Sequence, residues 1–375
     1  MRTATRARAI ATIAVLGLFA AACGDDETTP AATTPTTAAE VPATTAAPVA
    51  DGPKVGLVFD IGGRGDQSFN DAAAAGIERA AAELGITFTE ASPNDDGSNR
   101  KELLDLAAES SDIVIAVGFL FEADAAAVGI ANPDKTFGVI DSAMLDFANG
   151  AVPYGDNIAG LVFSEEQGSF LVGAAAALKS TSGQIGFIGG VKGVGGLIER
   201  FEAGYIAGAK AVNPDIKIVS EYITEAPDFD GFNAPDRARD IASAMYAGGA
   251  DIVYHAAGGS GAGLFEAAKA TSDESGTKVW AIGVDSDQYN TSDAAVKEFI
   301  LTSMLKRVDV AVYEIIKAHI EGKVVGGPTA YNLSVDGVGY ATSGGFVDDI
   351  VADLDAFKAK IISGEIVVPT DPAQA

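Results

Sequence analysis

The alternation of short apolar runs with longer helical patterns constrains the fold of this chain most strongly. From Val55 onward, strand-like runs such as Val55–Phe59 and Ile113–Val117 are each followed by a longer helical pattern. Strands separated in this way pair in parallel, because a parallel connection needs a crossover about as long as a helix. The sequence therefore predicts an α/β fold in which parallel sheets are flanked by helices.

The strand–helix elements form two successive series that divide near Asn157. The predicted strands are too many for a single sheet, so two similar lobes are expected. The end of the chain adds a strand (ILTSML), a helix to Glu321 and a last strand (YNLSV), which both lobes are expected to share. A cleft between such lobes closes by hinge motion around a ligand. The predicted lobes are residues 52–157 with 286–322, and residues 158–285 with 323–375.

The N-terminus has the pattern of a secretory leader. A basic start precedes an apolar run from Ala9 to Ala22, which is too short for a convincing membrane span. Cys23 follows small residues directly, as in the box of bacterial lipoproteins, although Ala20 stands where that box usually has Leu. We expect a signal peptide over residues 1–22, a lipid on Cys23, and an extracytoplasmic position on the cell membrane. Cys23 is the only cysteine, so no intrachain disulfide can form.

Composition and charge narrow the partners of the remaining chain. Residues 23–51 are almost entirely Thr, Ala, Pro and acidic residues without helical or strand periodicity, which predicts a disordered tether. The formal net charge of −27 repels nucleic acid and anionic lipid. We therefore expect no binding to nucleic acid and contact with the membrane only through the anchor. We also expect a monomer.

The first strand leads into a glycine-rich turn that carries candidate binding residues. The S-x-x-D spacing of Ser68 and Asp71 predicts a capping box, with Ser68 as the N-cap of the following helix. Asp66, Phe69 and Asn70 then lie beyond the carboxyl end of a strand, where open α/β sheets bind ligands. An aromatic face, an amide and a carboxylate suit a small planar molecule with hydroxyl groups. The structural alternative is a capped turn with a half-buried phenylalanine.

Other polar, aromatic and glycine-rich positions also follow predicted strands. Since the carboxyl ends of parallel strands lie at one edge of a sheet, these positions are expected to gather at the cleft. They are Phe119, Asp141, the turn from Gly189 to Phe201, the run Gly258–Gly263, and Asp285.

Enzymatic patterns are weak in this sequence. No stretch fits the phosphate-binding loop GxxxxGK[ST], and the two histidines, His255 and His319, are far apart, so neither a cofactor nor a metal is expected. Ser260 lies in GGSGA, one residue short of the G-x-S-x-G elbow, and Asp285 and His319 follow in the order of a serine hydrolase. Against this remote alternative, the last elbow glycine is missing and His319 is expected to face solvent.

Eight segments of the chain carry a specific resemblance: GDQSFNDAAAAGIERA, VIDSAML, DNIAGLVFSEEQGSFLVGAAAAL, IGFIGGVKG with ERFEAGYIAGA, AAGGSGAGLFEAAK, IGVDSDQY and ILTSMLKRVDVAVYEIIK. They resemble the BMP (basic membrane protein) family, whose members are lipoprotein substrate-binding components of ABC importers, several of which bind purine nucleosides. The resemblance covers nearly all of residues 53–340. It implies a non-enzymatic periplasmic-binding-protein type I fold, with two lobes hinged by three crossovers, and ABC permease subunits as partners.

The resemblance also implies roles for individual residues. Phe69 and Phe201 would sandwich a base, while Asp66 and Asn70 would hydrogen-bond its edge. The sugar hydroxyls or neighbouring polar atoms would be held by Asp141, Gly259, Asp285 and Lys306, with Phe119 as a further lining residue.

Alternatives remain open from the sequence. In the structural alternative, Phe201 only packs its helix on the sheet, and Lys306 only pairs with Asp309 or Asp285 without touching a ligand. The loop GVGGLIERF stands where relatives often have a proline, which leaves the choice of base open. A sugar-binding receptor, or a surface signalling receptor that passes occupancy to a partner, would need the same cleft.

Overall fold

The computed structural model describes residues 52–94 and 96–375. The predicted signal peptide, the tether and the lipidation of Cys23 lie outside the described residues. Within the described part of the chain, every helix is too short or too polar to cross a bilayer.

Strands and helices alternate along the described chain, as predicted. The helices are α1 (Phe69–Leu84), α2 (Arg100–Ser110), α3 (Glu122–Ala131), α4 (Glu165–Lys179), α5 (Leu197–Val212), α6 (Pro235–Ala247), α7 (Gly261–Ser275), α8 (Gln288–Thr291), α9 (Val308–Ile320) and α10 (Val351–Ile362). The strands are β1 (Lys54–Val58), β2 (Thr87–Ala91), β3 (Ile113–Ala116), β4 (Thr136–Ile140), β5 (Leu145–Asp146), β6 (Val152–Pro153), β7 (Ile158–Phe163), β8 (Gln184–Lys192), β9 (Lys217–Glu225), β10 (Ile252–Ala256), β11 (Trp280–Asp285), β12 (Ile300–Lys306), β13 (Gly327–Tyr331) and β14 (Val338–Tyr340).

Two six-stranded sheets form the cores of two lobes. The first sheet has the order β13-β7-β4-β3-β1-β2, and all of its strand pairs are parallel. The second has the order β14-β12-β11-β10-β8-β9 and is parallel except for β14, which pairs antiparallel with β12. Central strands such as β3, β4 and β10 are buried along their whole length, as expected for parallel strands covered by helices on both faces. The predicted α/β fold with two parallel sheets is confirmed.

The chain passes between the two sheets three times, after β7, after β12 and after β13. The predicted lobe boundaries need correction at these strands, because β7 and β13 pair within the first sheet and β12 pairs within the second. The first crossover therefore follows Phe163 rather than Asn157. An apolar run predicts a strand, but its sheet is decided by the partner to which its backbone hydrogen-bonds.

Helices α4 and α5 of the second lobe pack unusually closely through glycines. A Cβ atom at Gly204 would lie 2.1 Å from the carbonyl oxygen of Glu166, and one at Gly173 would lie 2.1 Å from that of Tyr205. Only glycine permits this approach, so the two helices form one unit. Helix α5 is thereby fixed in the position from which it presents Phe201 to the cleft.

Helix α1 begins where the sequence predicted, but the predicted capping box is wrong. The carboxylate of Asp66 accepts hydrogen bonds from the backbone N–H groups of Ser68 (2.9 Å), Asn70 (2.8 Å) and Asp71 (3.1 Å). The Ser68 hydroxyl points away from the helix and donates to Oδ2 of Asp285, in the other lobe, at 2.5 Å. Asp66 therefore satisfies the free N–H groups of the first turn, which the motif spacing assigned to Ser68.

This cap predicts a stability cost for Asp66→Ala. Losing three acceptor contacts at the helix start should lower the free energy of unfolding by about 1–2 kcal/mol, the usual cost of removing a cap. Urea denaturation measures the change. The matched control is Asp105→Ala on α2, where an exposed carboxylate pairs with Lys101 at 2.8 Å, and its cost should stay below about 0.5 kcal/mol. An equal cost for both variants would contradict the assignment of the cap.

Candidate functional site

A cleft with an empty volume of about 590 Å³ lies between the two lobes. Its walls come from the turns after β1, β3 and β4 in the first lobe and from α5, β12 and the turns after β10 and β11 in the second. The structure brings all the binding residues that the sequence suggested into this one cleft: Asp66, Phe69, Asn70, Phe119, Asp141, Phe201, Gly259, Asp285 and Lys306.

Two phenylalanines from opposite lobes flank the same point in the cleft. Phe69 is the first residue of α1, and Phe201 lies in α5. The Lys306 Nζ atom is 5.1 Å from the ring centroid of Phe69 and 5.5 Å from that of Phe201, within the range of cation–π attraction. A third ring, Phe163, lies 5.1 Å from the same atom. The two cleft rings are therefore close enough to act on one ligand.

Lys306 is the centre of a buried ionic cluster. Its Nζ atom lies 2.7 Å from Asp141 and 3.2 Å from Glu165, and all three side chains are at most 5% exposed. Burial alone would lower the pKa of Lys306, but Asp141, Glu165 and Asp285 together raise it above its ordinary value. Lys306 therefore remains an ammonium. Its partners differ from the suggested pairing with Asp309, whose carboxylate instead pairs with Arg307.

The carboxyl groups around the cleft have abnormal acidities. Burial raises the pKa of Glu165 to about 7 and that of Asp285 to about 6, although the Lys306 charge opposes both shifts. Burial also raises the pKa of Asp66, against the backbone N–H bonds that it accepts. Near neutral pH the cleft therefore holds carboxyl groups that change protonation easily, and a ligand that donates hydrogen bonds would favour their ionised form.

Asp60 also lines the cleft, although the sequence analysis did not single it out. Its carboxylate Oδ1 accepts a hydrogen bond from the N–H of Ile61 at 2.8 Å, and burial raises its pKa to about 7. A signal was present, because Asp60, Asp141 and Asp285 each follow an apolar strand run directly (VFD, VID and GVD). The expectation that ligand groups directly follow strand-like runs therefore applies to Asp60 as well.

Asn70 holds the loop that carries the first-lobe carboxyl groups. Its Oδ1 atom accepts from the N–H of Asp60 at 2.9 Å, and its Nδ2 atom donates to Asp66 at 3.0 Å and to the carbonyl of Ile61 at 3.2 Å. Asp66 and Asn70 therefore have structural partners of their own while they line the cleft. Side chains fixed in this way are preorganised toward a ligand.

Asp141 and Asp285 occupy matching positions in the two lobes. Asp141 directly follows β4 and Asp285 is the last residue of β11, and their φ angles are positive, 65° and 64° respectively. A left-handed backbone is costly for a residue other than glycine and tends to persist where function requires it. The two lobes thus present one strained aspartate each to the same cleft.

The serine hydrolase constellation does not assemble. The Ser260 hydroxyl is fully buried and donates to the carbonyl of Gly231 at 2.8 Å. The Nδ1 atom of His319 lies 2.8 Å from the Thr136 hydroxyl, in the first lobe. Ser260 therefore supports a turn rather than facing a histidine base. Across residues 52–94 and 96–375, no cluster of three or more His, Cys, Asp or Glu side chains is arranged to hold a metal ion.

The comparison with known proteins agrees with this architecture. A family model described as "Bmp: ABC transporter substrate-binding protein PnrA-like" matches residues 53–372. The CD4+ T-cell-stimulating antigen of Listeria monocytogenes is 33% identical, with 85% of this chain and 88% of the relative aligned. The ABC transporter nucleoside-binding protein BmpA of Lactococcus lactis is also 33% identical, over 84% of this chain and 89% of the relative.

A solved structure shows the same two-lobed arrangement. The ABC transporter solute-binding protein of Aeropyrum pernix matches with a TM-score of 0.70 at 29% sequence identity, covering 85% of this chain and 94% of that one. The predicted periplasmic-binding-protein type I fold is therefore confirmed. Proteins of this kind bind a small molecule outside the cytoplasm for a membrane permease and are not enzymes. The chain belongs to the Bmp family of PnrA-like ABC transporter substrate-binding proteins.

Proposed function

We propose that this protein captures a purine nucleoside in its cleft and delivers it to an ABC permease, while a lipid on Cys23 holds it at the membrane. The observation that carries the proposal is the pair of rings, Phe69 and Phe201, contributed by opposite lobes to one cleft that buried carboxyl groups also line. The name of the Lactococcus lactis relative, a nucleoside-binding protein, supports the same ligand class.

The aromatic pair favours a flat ligand. A purine offers two apolar faces, and each face that stacks on an aromatic side chain contributes about 1–3 kcal/mol. Phe69 and Phe201 lie on different lobes, so both faces are covered only when the cleft is closed. Binding of the base and closure of the lobes therefore reinforce each other.

The polar groups favour a ligand rich in hydrogen-bond donors. Asp60, Asp66 and Asn70 line the first-lobe side, where the edge of a base would lie. A buried acceptor left without a donor costs free energy, so ligands lacking the matching N–H groups are rejected.

The remaining polar groups of the cleft suit the sugar. Its hydroxyl groups would be held by Asp141, Gly259, Asp285 and Lys306. Carboxyl groups outnumber the one ammonium among the lining residues, so a neutral nucleoside fits the cleft better than its phosphate ester.

A thermal-shift panel tests the ligand class. The purified protein is melted with adenosine, guanosine, inosine, cytidine, ribose and glucose. A purine nucleoside at a hundred times its dissociation constant should stabilise the fold by about 2.7 kcal/mol. Ribose and glucose should give no comparable shift at equal concentration. If sugars raise the melting temperature while nucleosides do not, the nucleoside proposal is wrong and the protein is a sugar receptor.

Phe69→Ala tests the aromatic pair. Removing one stacking face should weaken purine nucleoside binding by roughly 5- to 150-fold, the ratio that corresponds to about 1–3 kcal/mol. Isothermal titration calorimetry gives the dissociation constants. The control is Phe88→Ala, a half-buried ring on β2 that does not line the cleft, and its affinity should match the wild type. Equal affinities for the Phe69 variant and the wild type would remove this ring from the binding site.

Asp60→Asn tests the buried acid through the pH dependence of stability. The pKa of Asp60 rises from 3.8 to about 7 on folding, so the ligand-free protein must ionise a buried group as pH rises through this range. Its contribution lowers the free energy of unfolding by about 4 kcal/mol between pH 4 and pH 8.

Urea titrations at pH 5, 6, 7 and 8 measure this slope. The Asp60→Asn protein should lose less stability with rising pH than the wild type, because an amide does not ionise. Exposed Asp105→Asn is the control and should keep the wild-type slope. Parallel slopes for Asp60→Asn and the wild type would show that Asp60 ionises normally.

A further inference from the structure

We propose that Ser286, Gln288 and Thr291 are positioning residues that hold the ligand-facing loop of the first lobe from the second lobe, and so set how long the closed cleft retains its ligand. These three side chains are called the clasp. The inference concerns closure and uses nucleosides only as probes, so part of its test is independent of the proposed ligand.

The clasp consists of three hydrogen bonds across the lobes. The Ser286 hydroxyl donates to the carbonyl of Ser68 at 3.1 Å. Gln288 Nε2 and the Thr291 hydroxyl both donate to the carbonyl of Gln67, each at 3.1 Å. All three donors belong to the segment after β11, and both acceptors belong to the turn that precedes α1. The contacts therefore exist only while the lobes are together.

The turn that contains Gln67 and Ser68 is hydrogen-bonded to residues that line the cleft. Gln67 has a left-handed backbone, with φ of 56°, and its N–H donates to Asp71 at 2.9 Å. The neighbouring Ser68 N–H donates to Asp66, and the Ser68 hydroxyl donates to Asp285. Moving the turn that holds the Gln67 and Ser68 carbonyls therefore also moves hydrogen-bond partners of Asp66 and Asp285, two carboxylates that line the cleft.

The second-lobe side of the clasp is anchored in the sheet. Gln288 is 1% exposed, and its Oε1 atom accepts from the N–H of Val284 at 2.8 Å and lies 3.0 Å from His255 Nε2. The backbone N–H of Gln288 donates to the Ser303 hydroxyl at 3.1 Å. Strands β10, β11 and β12 therefore all fix this glutamine, and its remaining Nε2 donor is aimed at the first lobe.

None of the clasp side chains lines the cleft. Their effect on a ligand must therefore act through the closed state rather than through contact. When only a fraction of molecules is closed, the apparent dissociation constant rises as that fraction falls. Weakening the clasp should speed ligand release and open the ligand-free protein, without changing which ligands are accepted.

The test uses variants that remove donors while leaving Gln288 intact. Thr291 is exposed, so Thr291→Val is an isosteric change that should fold normally. The second variant combines Ser286→Ala with Thr291→Val. Thr291→Ser keeps the donor and should restore wild-type behaviour. The matched control is Asn290→Ala on the same short helix, whose amide donates only within its own lobe, to Asp287 and Ser343.

Two measurements are made on each protein. Stopped-flow dissociation of adenosine and inosine should be roughly fivefold faster for Thr291→Val and roughly 25-fold faster for the double variant, the ratios expected for one and two ordinary hydrogen bonds. Small-angle X-ray scattering without ligand should show a larger radius of gyration for the double variant. Asn290→Ala and Thr291→Ser should match the wild type in both.

The outcomes separate the two proposals. Wild-type dissociation rates and scattering in the double variant would overturn the clasp. If the wild type binds neither nucleoside, the proposed function fails, and scattering alone decides the clasp. A change in the Asn290→Ala control equal to that in Thr291→Val would also overturn it, since the effect would then come from the helix rather than from contacts between lobes.

Discussion

One buried ammonium, that of Lys306, connects the two lobes of this molecule. Lys306 ends β12, directly before the chain crosses back to the first lobe, and it pairs with Asp141 of the first lobe and Glu165 at the start of α4. Removing one partner of a buried ion pair typically costs about 3–5 kcal/mol, because the other charge is left uncompensated. The cluster therefore connects the crossovers after β7 and β12, two of the three. Its ammonium also lies 5.1 Å from the Phe69 ring and 5.5 Å from the Phe201 ring. The same charge therefore lies both at the crossovers and in the cleft.

The electrostatics of the cleft follow from placing several acids around that one cation. Lys306 compensates Asp141 and Glu165 most directly, while Asp60 lies in the same cleft with a pKa of about 7. Burial makes Asp60 and Glu165 costly to ionise, and hydrogen-bond donors on a ligand would relieve that cost.

The sequence was a good guide to local order and to the edge of the sheets where the site lies. The start of α1 was predicted, and the rule that ligand groups follow strands located the suggested cleft residues other than Lys306, which only the family resemblance indicated. These predictions succeed because apolar periodicity is a local property, and parallel pairing then places all strand ends together.

Long-range relationships were beyond the sequence. The sheet to which β7, β12 and β13 belong depends on distant hydrogen-bond partners, and β14 and α10 carry weak local patterns after a glycine-rich connection. The cap of α1 was misassigned because Ser68 finds its partner, Asp285, more than two hundred residues away. Asp60 was missed although it follows an apolar run as directly as Asp141 does, in VFD and VID respectively.

The glycine-mediated contact between α4 and α5 has a mechanical consequence. Helix α4 starts immediately after the first crossover, and its backbone touches that of α5, so neither helix slides without the other. A rotation at that crossover would therefore move both helices together, and Phe201 would move with α5. In the proposed nucleoside complex, opening of the lobes would therefore carry Phe201 away from the base together with α4 and α5.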